Sequence, residues 1–150
     1  MSGAVELYGL AAFPPHLQVD SFIQALPSAM TFIVNGNDIL SFYEEELAGE
    51  RVNYVSLWPK SRRCDKRQSL YAMIDETVNA HEKIIRILER EPAALEAYNK
   101  FASEYVQFRT VLDSRFRLNE LSNSFFTIYG ILCNPSQFSW YPTITRYGCY

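Results

Sequence analysis

Cysteine, glycine and surplus positive charge are all scarce in this 150-residue chain. Its three cysteines, Cys64, Cys133 and Cys149, are an odd number without metal-ligand spacing. That excludes a disulfide framework and a zinc module, and sets a reduced, cytoplasmic compartment as the expectation. Fourteen basic residues against seventeen acidic ones leave a net charge of −3. Nothing there suits a nucleic-acid groove or an anionic membrane, so neither partner is expected. The longest uncharged apolar stretch, Phe125 to Cys133, is too short to span a bilayer. The opening Met-Ser-Gly-Ala-Val-Glu lacks the basic start and apolar core of a secretory signal. What is present suits one domain over residues 1–150: 48% apolar and 21% charged residues, in a chain able to bury roughly 70% of its unfolded surface. Ten Phe, ten Tyr and two Trp make aromatics the one compositional excess. They fit an ordinary core or, in the alternative, an aromatic-lined pocket for an apolar or cationic ligand.

Local signals predict helices. A short segment holding Gly3 and Gly9 is broken by Pro14-Pro15. Pro27, tolerated in a first helical turn, opens a helix running to about Leu47, with Gly49 as its C-terminal cap. Gly36 inside it costs on the order of 1 kcal/mol relative to alanine, which implies a close neighbour at the backbone. Trp58 to Arg67 reads as a basic loop (Lys60, Arg62, Arg63, Lys66, Arg67), either a solvated face or part of a lid over an anion. Ser69 is the expected N-cap of a second helix, whose Leu70, Met73, Ile74, Val78, Ile84, Ile85 and Leu88 fit a 3.6-residue period. Pro92 opens a third, with Leu95, Tyr98, Ala102, Tyr105, Phe108 and Leu112 on its inward stripe. The aromatic tail from Asn123 is expected as short irregular pieces. No alternating strand emerges, and the fold class is all-α.

One constellation carries chemistry: Asn37-Asp38-Ile39-Leu40-Ser41-Phe42-Tyr43-Glu44-Glu45. Asn37, Ser41 and Glu45 recur at i, i+4 and i+8, stacking an amide, a hydroxyl and a carboxylate on one helix face about 5.4 Å apart. All three offer oxygen, the ligand of a hard cation such as Mg²⁺. Met30, Ile33 and Val34 continue the same face as an apolar stripe, which places the oxygens at the edge of a cavity with Glu44 turned away. The alternative is a solvated helix end whose Asn and Ser bond to backbone. Further on, Arg115 stands i+7 from Phe108 and i+3 from Leu112, extending an inward stripe where a cation needs an anion. Arg117 stands i+4 from Asp113, as in a helix salt bridge. His16 and His81 have no visible triad partner and read as structural.

Asn-Asp-x-x-Ser-x-x-x-Glu resembles the second metal motif of class I terpenoid synthases, and the fuller string is most similar to trichodiene synthase-type sesquiterpene cyclases. Asp113-Ser114-Arg115-Phe116-Arg117-Leu118 resembles the same family's late basic motif, Asp-Arg-Arg-Tyr-Arg-Leu. Weaker likenesses run from Met1 to Pro14 and through Pro135-Ser136-Gln137-Phe138 and Tyr141-Pro142. The resemblance implies a partial α-helical terpenoid synthase bundle, with residues 1–150 as its C-terminal part. It implies a carbon–oxygen lyase in which Asn37, Ser41 and Glu45 hold Mg²⁺ and Arg115 binds the diphosphate of a prenyl substrate such as farnesyl diphosphate.

The chain departs from that pattern in four places. The family's aspartate-rich first motif is missing, Asp75-Glu76 being the only comparable pair, with the wrong position and continuation. The diphosphate-sensing arginine would fall just before Met1. Glu44 stands where family members place Lys, and Phe116 replaces the motif's Tyr. The isolated chain is therefore expected to be inactive, and to self-associate as a homo-oligomer or to need a missing N-terminal half. The competing expectation is a truncated, non-catalytic helical protein that binds a partner.

Overall fold

The computed structural model describes residues 4–49, 55, 57, 65–112, 115, 117 and 118, with the side chains of 111 and 112 set aside. Helix α1 spans Ala4–Ala11, α2 Leu26–Leu47, α3 Lys66–Leu88 and α4 Pro92–Gln107, and α4 runs on into a π-helical turn at Phe108–Leu112. No strand occurs among the described residues, as an all-α class requires.

Local chemistry sets the ends of α2. Pro27 occupies the first turn, where its missing N–H costs nothing. At the other end the Ala48 N–H bonds the Glu44 carbonyl at 2.8 Å. Gly49, at φ +72°, takes the left-handed conformation that stops the helix. Two short 3₁₀ turns, Val19–Ser21 and Ile23–Ala25, lead into α2. Phe13 stacks on Phe22 across the Pro14-Pro15 break, with ring centroids 4.3 Å apart.

The start of α3 differs from the expectation. Ser69 lies inside the first turn and its hydroxyl donates to the Asp65 carbonyl oxygen at 3.1 Å. Asp65 is the cap: its carboxylate accepts from the Gln68 N–H at 2.7 Å, and its own N–H donates to Gln68 Oε1 at 2.9 Å. This reciprocal capping box satisfies two donors, where a serine at position 69 would satisfy one. Lys66 and Arg67 consequently belong to the helix. Lys66 reaches Glu46 beyond the motif at 2.7 Å, and Arg67 lies over the Tyr71 ring. Lys60, Arg62, Arg63 and the three cysteines lie outside the described residues, as does the aromatic tail.

Helix α2 is central, packing most extensively on α3 and next on α1. Phe32 and Ile33 of α2, Ile84 and Leu88 of α3, and Tyr98, Ala102 and Val106 of α4 share the main core with Ala12, Phe13 and Phe22. A second cluster joins Ile39 to Val55, Met73 and Ile74. His81 is buried in the main core and its Nδ1 hydrogen-bonds the Tyr98 hydroxyl at 2.8 Å, the structural role expected of it. His16 is exposed.

Gly36 has the close neighbour that its presence implied. A Cβ there would stand 3.3 Å from Cε1 of Tyr105, whose hydroxyl donates to the Ile33 carbonyl at 2.9 Å. The stripe of α4 does not continue as counted. Phe108 is 51% exposed rather than inward. It begins the π turn, where the wider i→i+5 pitch shifts the phase of whatever follows. Thr110 returns its hydroxyl to the Val106 carbonyl at 2.8 Å.

Candidate metal and diphosphate site

Helix α2 carries the three oxygen donors, and its regular geometry keeps their one-turn spacing. Ser41 is buried and Glu45 half-buried; the Ser41 hydroxyl donates to Glu45 Oε1 at 2.7 Å. Two ligands in adjacent corners of an octahedral Mg²⁺ shell lie about 2.9 Å apart, given metal–oxygen distances of about 2.0–2.1 Å. The Ser41–Glu45 separation thus already suits a shared hard ion, and the donor set fits Mg²⁺ chemically. Glu44 is half-buried, as Glu45 is.

Asn37 faces a different neighbourhood. With Asp38 it lines a cleft of about 300 Å³ whose other walls are Ala4, Val5 and Tyr8 of α1, Ile33 and Val34 of α2, and Tyr105, Phe108 and Arg109. Its amide nitrogen lies 3.5 Å from Asp38 Oδ1, a long contact. Burial pushes the Asp38 carboxyl upward from its ordinary value; the Asn37 contact opposes the rise, and the Glu45 charge adds to it. The Glu45 influence ties both ends of the motif to one local field. Ser41 and Glu45 are not among the residues lining this cleft.

Arg115 is exposed, and Arg117 takes φ +52°, a left-handed backbone. Asp113, the partner expected for Arg117, lies outside the described residues, as does Phe116. Leu118 of the same basic motif is buried against Leu40, with Tyr43 beside it. This contact ties the second motif to α2 between Asn37 and Ser41.

No cluster of three His, Cys, Asp or Glu side chains is positioned to hold a metal among the described residues. Asp75 and Glu76 are exposed on α3, where Glu76 accepts from the buried Asn35 amide at 3.1 Å. Spacing set Tyr105 on the inward stripe without giving it a role at the site, and it did not single out Arg109; both line the cleft with Asn37. Gly36 announced an intimate neighbour without naming it.

An all-α framework with an oxygen-bearing helix beside an aromatic cleft defines the class, and the comparisons define the family. The trichodiene synthase (TRI5) family model matches residues 4–125. The chain belongs to that family. It is 34% identical over 125 residues to alpha-cuprenene synthase COP6 of Coprinopsis cinerea, covering 83% of this chain and 38% of that protein. Terpene synthase 29 of Postia placenta is 42% identical over 107 residues, 71% of this chain and 30% of its own length. Longiborneol synthase CLM1 of Gibberella zeae is 32% identical over 123 residues, 79% of this chain and 35% of its own. The chain therefore spans well under half the length of these curated relatives. No solved structure matches it. Among the described residues no helix is long and apolar enough to cross a membrane.

Proposed function

We propose that the chain supplies the second metal site and part of the diphosphate grip of a sesquiterpene cyclase, a lyase that ionises farnesyl diphosphate and cyclises the resulting carbocation. The observation that carries this reading is the Ser41–Glu45 contact of 2.7 Å on the motif helix. Glu45 and Ser41 would hold Mg²⁺, with Asn37 one turn away as the third donor. The bound ion would draw electron density from the departing diphosphate oxygens. Arg115, three residues before the anchored Leu118, would donate to the same diphosphate. Ile33 and Val34 give the adjoining space apolar walls, and the ring faces of Tyr8, Tyr105 and Phe108 would favour a cation there. Family membership and the retained donor set support this reading ahead of a truncated, non-catalytic helical protein that binds a partner.

Mn²⁺ is an apt probe, since it shares the ligand preferences of Mg²⁺ and is visible by electron paramagnetic resonance. The chain is expected to bind Mn²⁺ competitively with Mg²⁺. Glu45→Ala and Ser41→Ala should weaken binding by about tenfold or more, with Glu46→Ala as the control. Equal Mn²⁺ affinity in all four proteins would refute the assignment.

A further inference from the structure

We propose that Arg109 is a second diphosphate-binding cation, presented to the Asn37 cleft by an aromatic shelf built around Gly36. The inference rests on the metal-diphosphate reading above and adds a residue to it.

The cleft has two chemically opposite kinds of polar group. On α2, Asn37 and Asp38 present amide and carboxylate oxygens, suited to a cation. The π turn adds Arg109, with its guanidinium, to the same lining. A metal diphosphate has matching polarity: the ion is shared between protein and phosphate oxygens, and the remaining phosphate oxygens need N–H donors. The apolar lining, Ile33, Val34 and the rings of Tyr8, Tyr105 and Phe108, continues as a surface for a prenyl chain.

The position of Arg109 is built rather than incidental. Its guanidinium carbon lies 5.5 Å from the Tyr105 ring centroid, one helical turn back, in cation–π range. The Tyr105 ring is fixed in turn by its hydroxyl on the Ile33 carbonyl and by its seat over Gly36, where any Cβ would press it at 3.3 Å. The carbonyl that Tyr105 grips is one turn before Asn37, so the cation and the metal-motif helix are referenced to one another through a single ring. Burial raises the Tyr105 phenol to about 12, while Arg109 favours its ionised form and Asp38 opposes it. All three groups therefore share one field. A π turn, which often marks a functional site, falls at the residue that delivers the charge.

Calorimetric titration of the 150-residue chain with inorganic pyrophosphate, with and without Mg²⁺, tests this. Arg109→Met, which keeps the stem and deletes the charge, should weaken pyrophosphate binding by about tenfold, the worth of one charge-assisted contact. Arg109→Lys, which keeps the charge but loses the planar fork and its seat on the ring, should weaken binding less than Arg109→Met. Because loss of the ring contact could unfold Arg109→Met, the Arg109 Nε–H resonance of the wild-type chain provides a readout without that variant. It should shift on saturation with pyrophosphate. An unmoved resonance, or Arg109→Met binding as tightly as wild type, overturns the inference. Binding that needs Arg109 but ignores both Mg²⁺ and Glu45→Ala sustains Arg109 and overturns the metal reading. Binding that needs Mg²⁺ and Glu45 but not Arg109 does the reverse, and no binding by wild type overturns both.

Discussion

His81 shows how one residue ties stability to pH. Its ring is buried between Phe32 and Tyr98, and that burial lowers its pKa from the ordinary 6.5. The unfolded chain therefore takes up the proton first as pH falls. Stability contributed by the neutral ring is whole above about pH 6.5 and is lost as pH falls through the folded value, by at most about 1.4 kcal/mol per pH unit. Urea midpoints are expected to fall between about pH 7.5 and pH 5, ahead of the range where carboxylates titrate. His81→Gln should be less stable at neutral pH and flatter across that interval. A wild-type midpoint that does not move over the interval would contradict a buried neutral histidine. At this scale the sequence was partly legible. A histidine among apolar residues of a periodic helix reads as structural, but its partner Tyr98 comes from another helix and leaves no trace in local spacing.

At the scale of the element, Gly36 decides how closely α2 and the end of α4 approach. Replacing it with alanine gains about 1 kcal/mol of helix propensity but presses on a ring held at both its face and its hydroxyl. Gly36→Ala should accordingly change unfolding free energy by less than about 1 kcal/mol. Gly36→Leu, which must displace the ring, should cost about 2–3 kcal/mol. Urea unfolding of the two variants checks the contrast, and a Gly36→Leu variant as stable as Gly36→Ala would mean that nothing rigid sits there.

Helix ends that depend on one residue were legible: Pro27 and Gly49 bracket α2 where its chemistry says they should. Ends that depend on reciprocity were not. Asp65 and Ser69 both suit an N-cap, and only the Gln68 side chain returning to the Asp65 N–H decides between them. The π turn was hidden for a different reason. A count at 3.6 residues per turn passes straight through Phe108, and a change of pitch has no residue signature of its own. The motif behaved likewise. Spacing put Asn37, Ser41 and Glu45 on one face, and the helix brings Ser41 and Glu45 into a hydrogen bond while Asn37 lines a cleft that neither of them lines. Spacing could not foresee that Asn37 would share a cleft with Arg109, 72 residues away.

At the scale of the whole molecule, the chain carries one motif that resembles a metal motif of its family. The aspartate-rich motif that the family resemblance places earlier is not among its 150 residues. A diphosphate bears several negative charges, and the single Mg²⁺ proposed for α2 with one or two guanidinium groups would neutralise only part of the charge that develops as it leaves. Purified chain with Mg²⁺ and farnesyl diphosphate is expected to release no pyrophosphate above a Glu45→Ala control. Release above that control would mean the missing ligands come from a second copy or from elsewhere in the chain. Metal binding and turnover are thus separable: the first should survive in this chain and the second should not.

Exposed apolar side chains should be visible in association. The apolar side chains of α1 are divided: Gly9 packs toward Leu26 and Met30, whereas Leu7 and Tyr8 are 67% and 60% exposed. Val19 and Ile23, in the 3₁₀ turns that follow, are exposed as well. Scattered exposed leucines are ordinary on a monomer, but several apolar side chains on consecutive elements amount to a surface that water solvates at a cost. Burying such side chains is worth about 25 cal/mol per Å² before the cost of association, and that gain favours contact between copies. Size-exclusion chromatography should therefore show a concentration-dependent shift to larger species, and a hydrophobic dye should bind the folded chain. Leu7→Lys with Tyr8→Lys should reduce both effects without lowering the urea midpoint, since neither side chain belongs to the core. A wild-type chain that elutes as a monomer at all concentrations, binds no dye and melts in one cooperative step would mean the fold closes its own surface. The catalytic reading would then lose its need for a second polypeptide segment over α1.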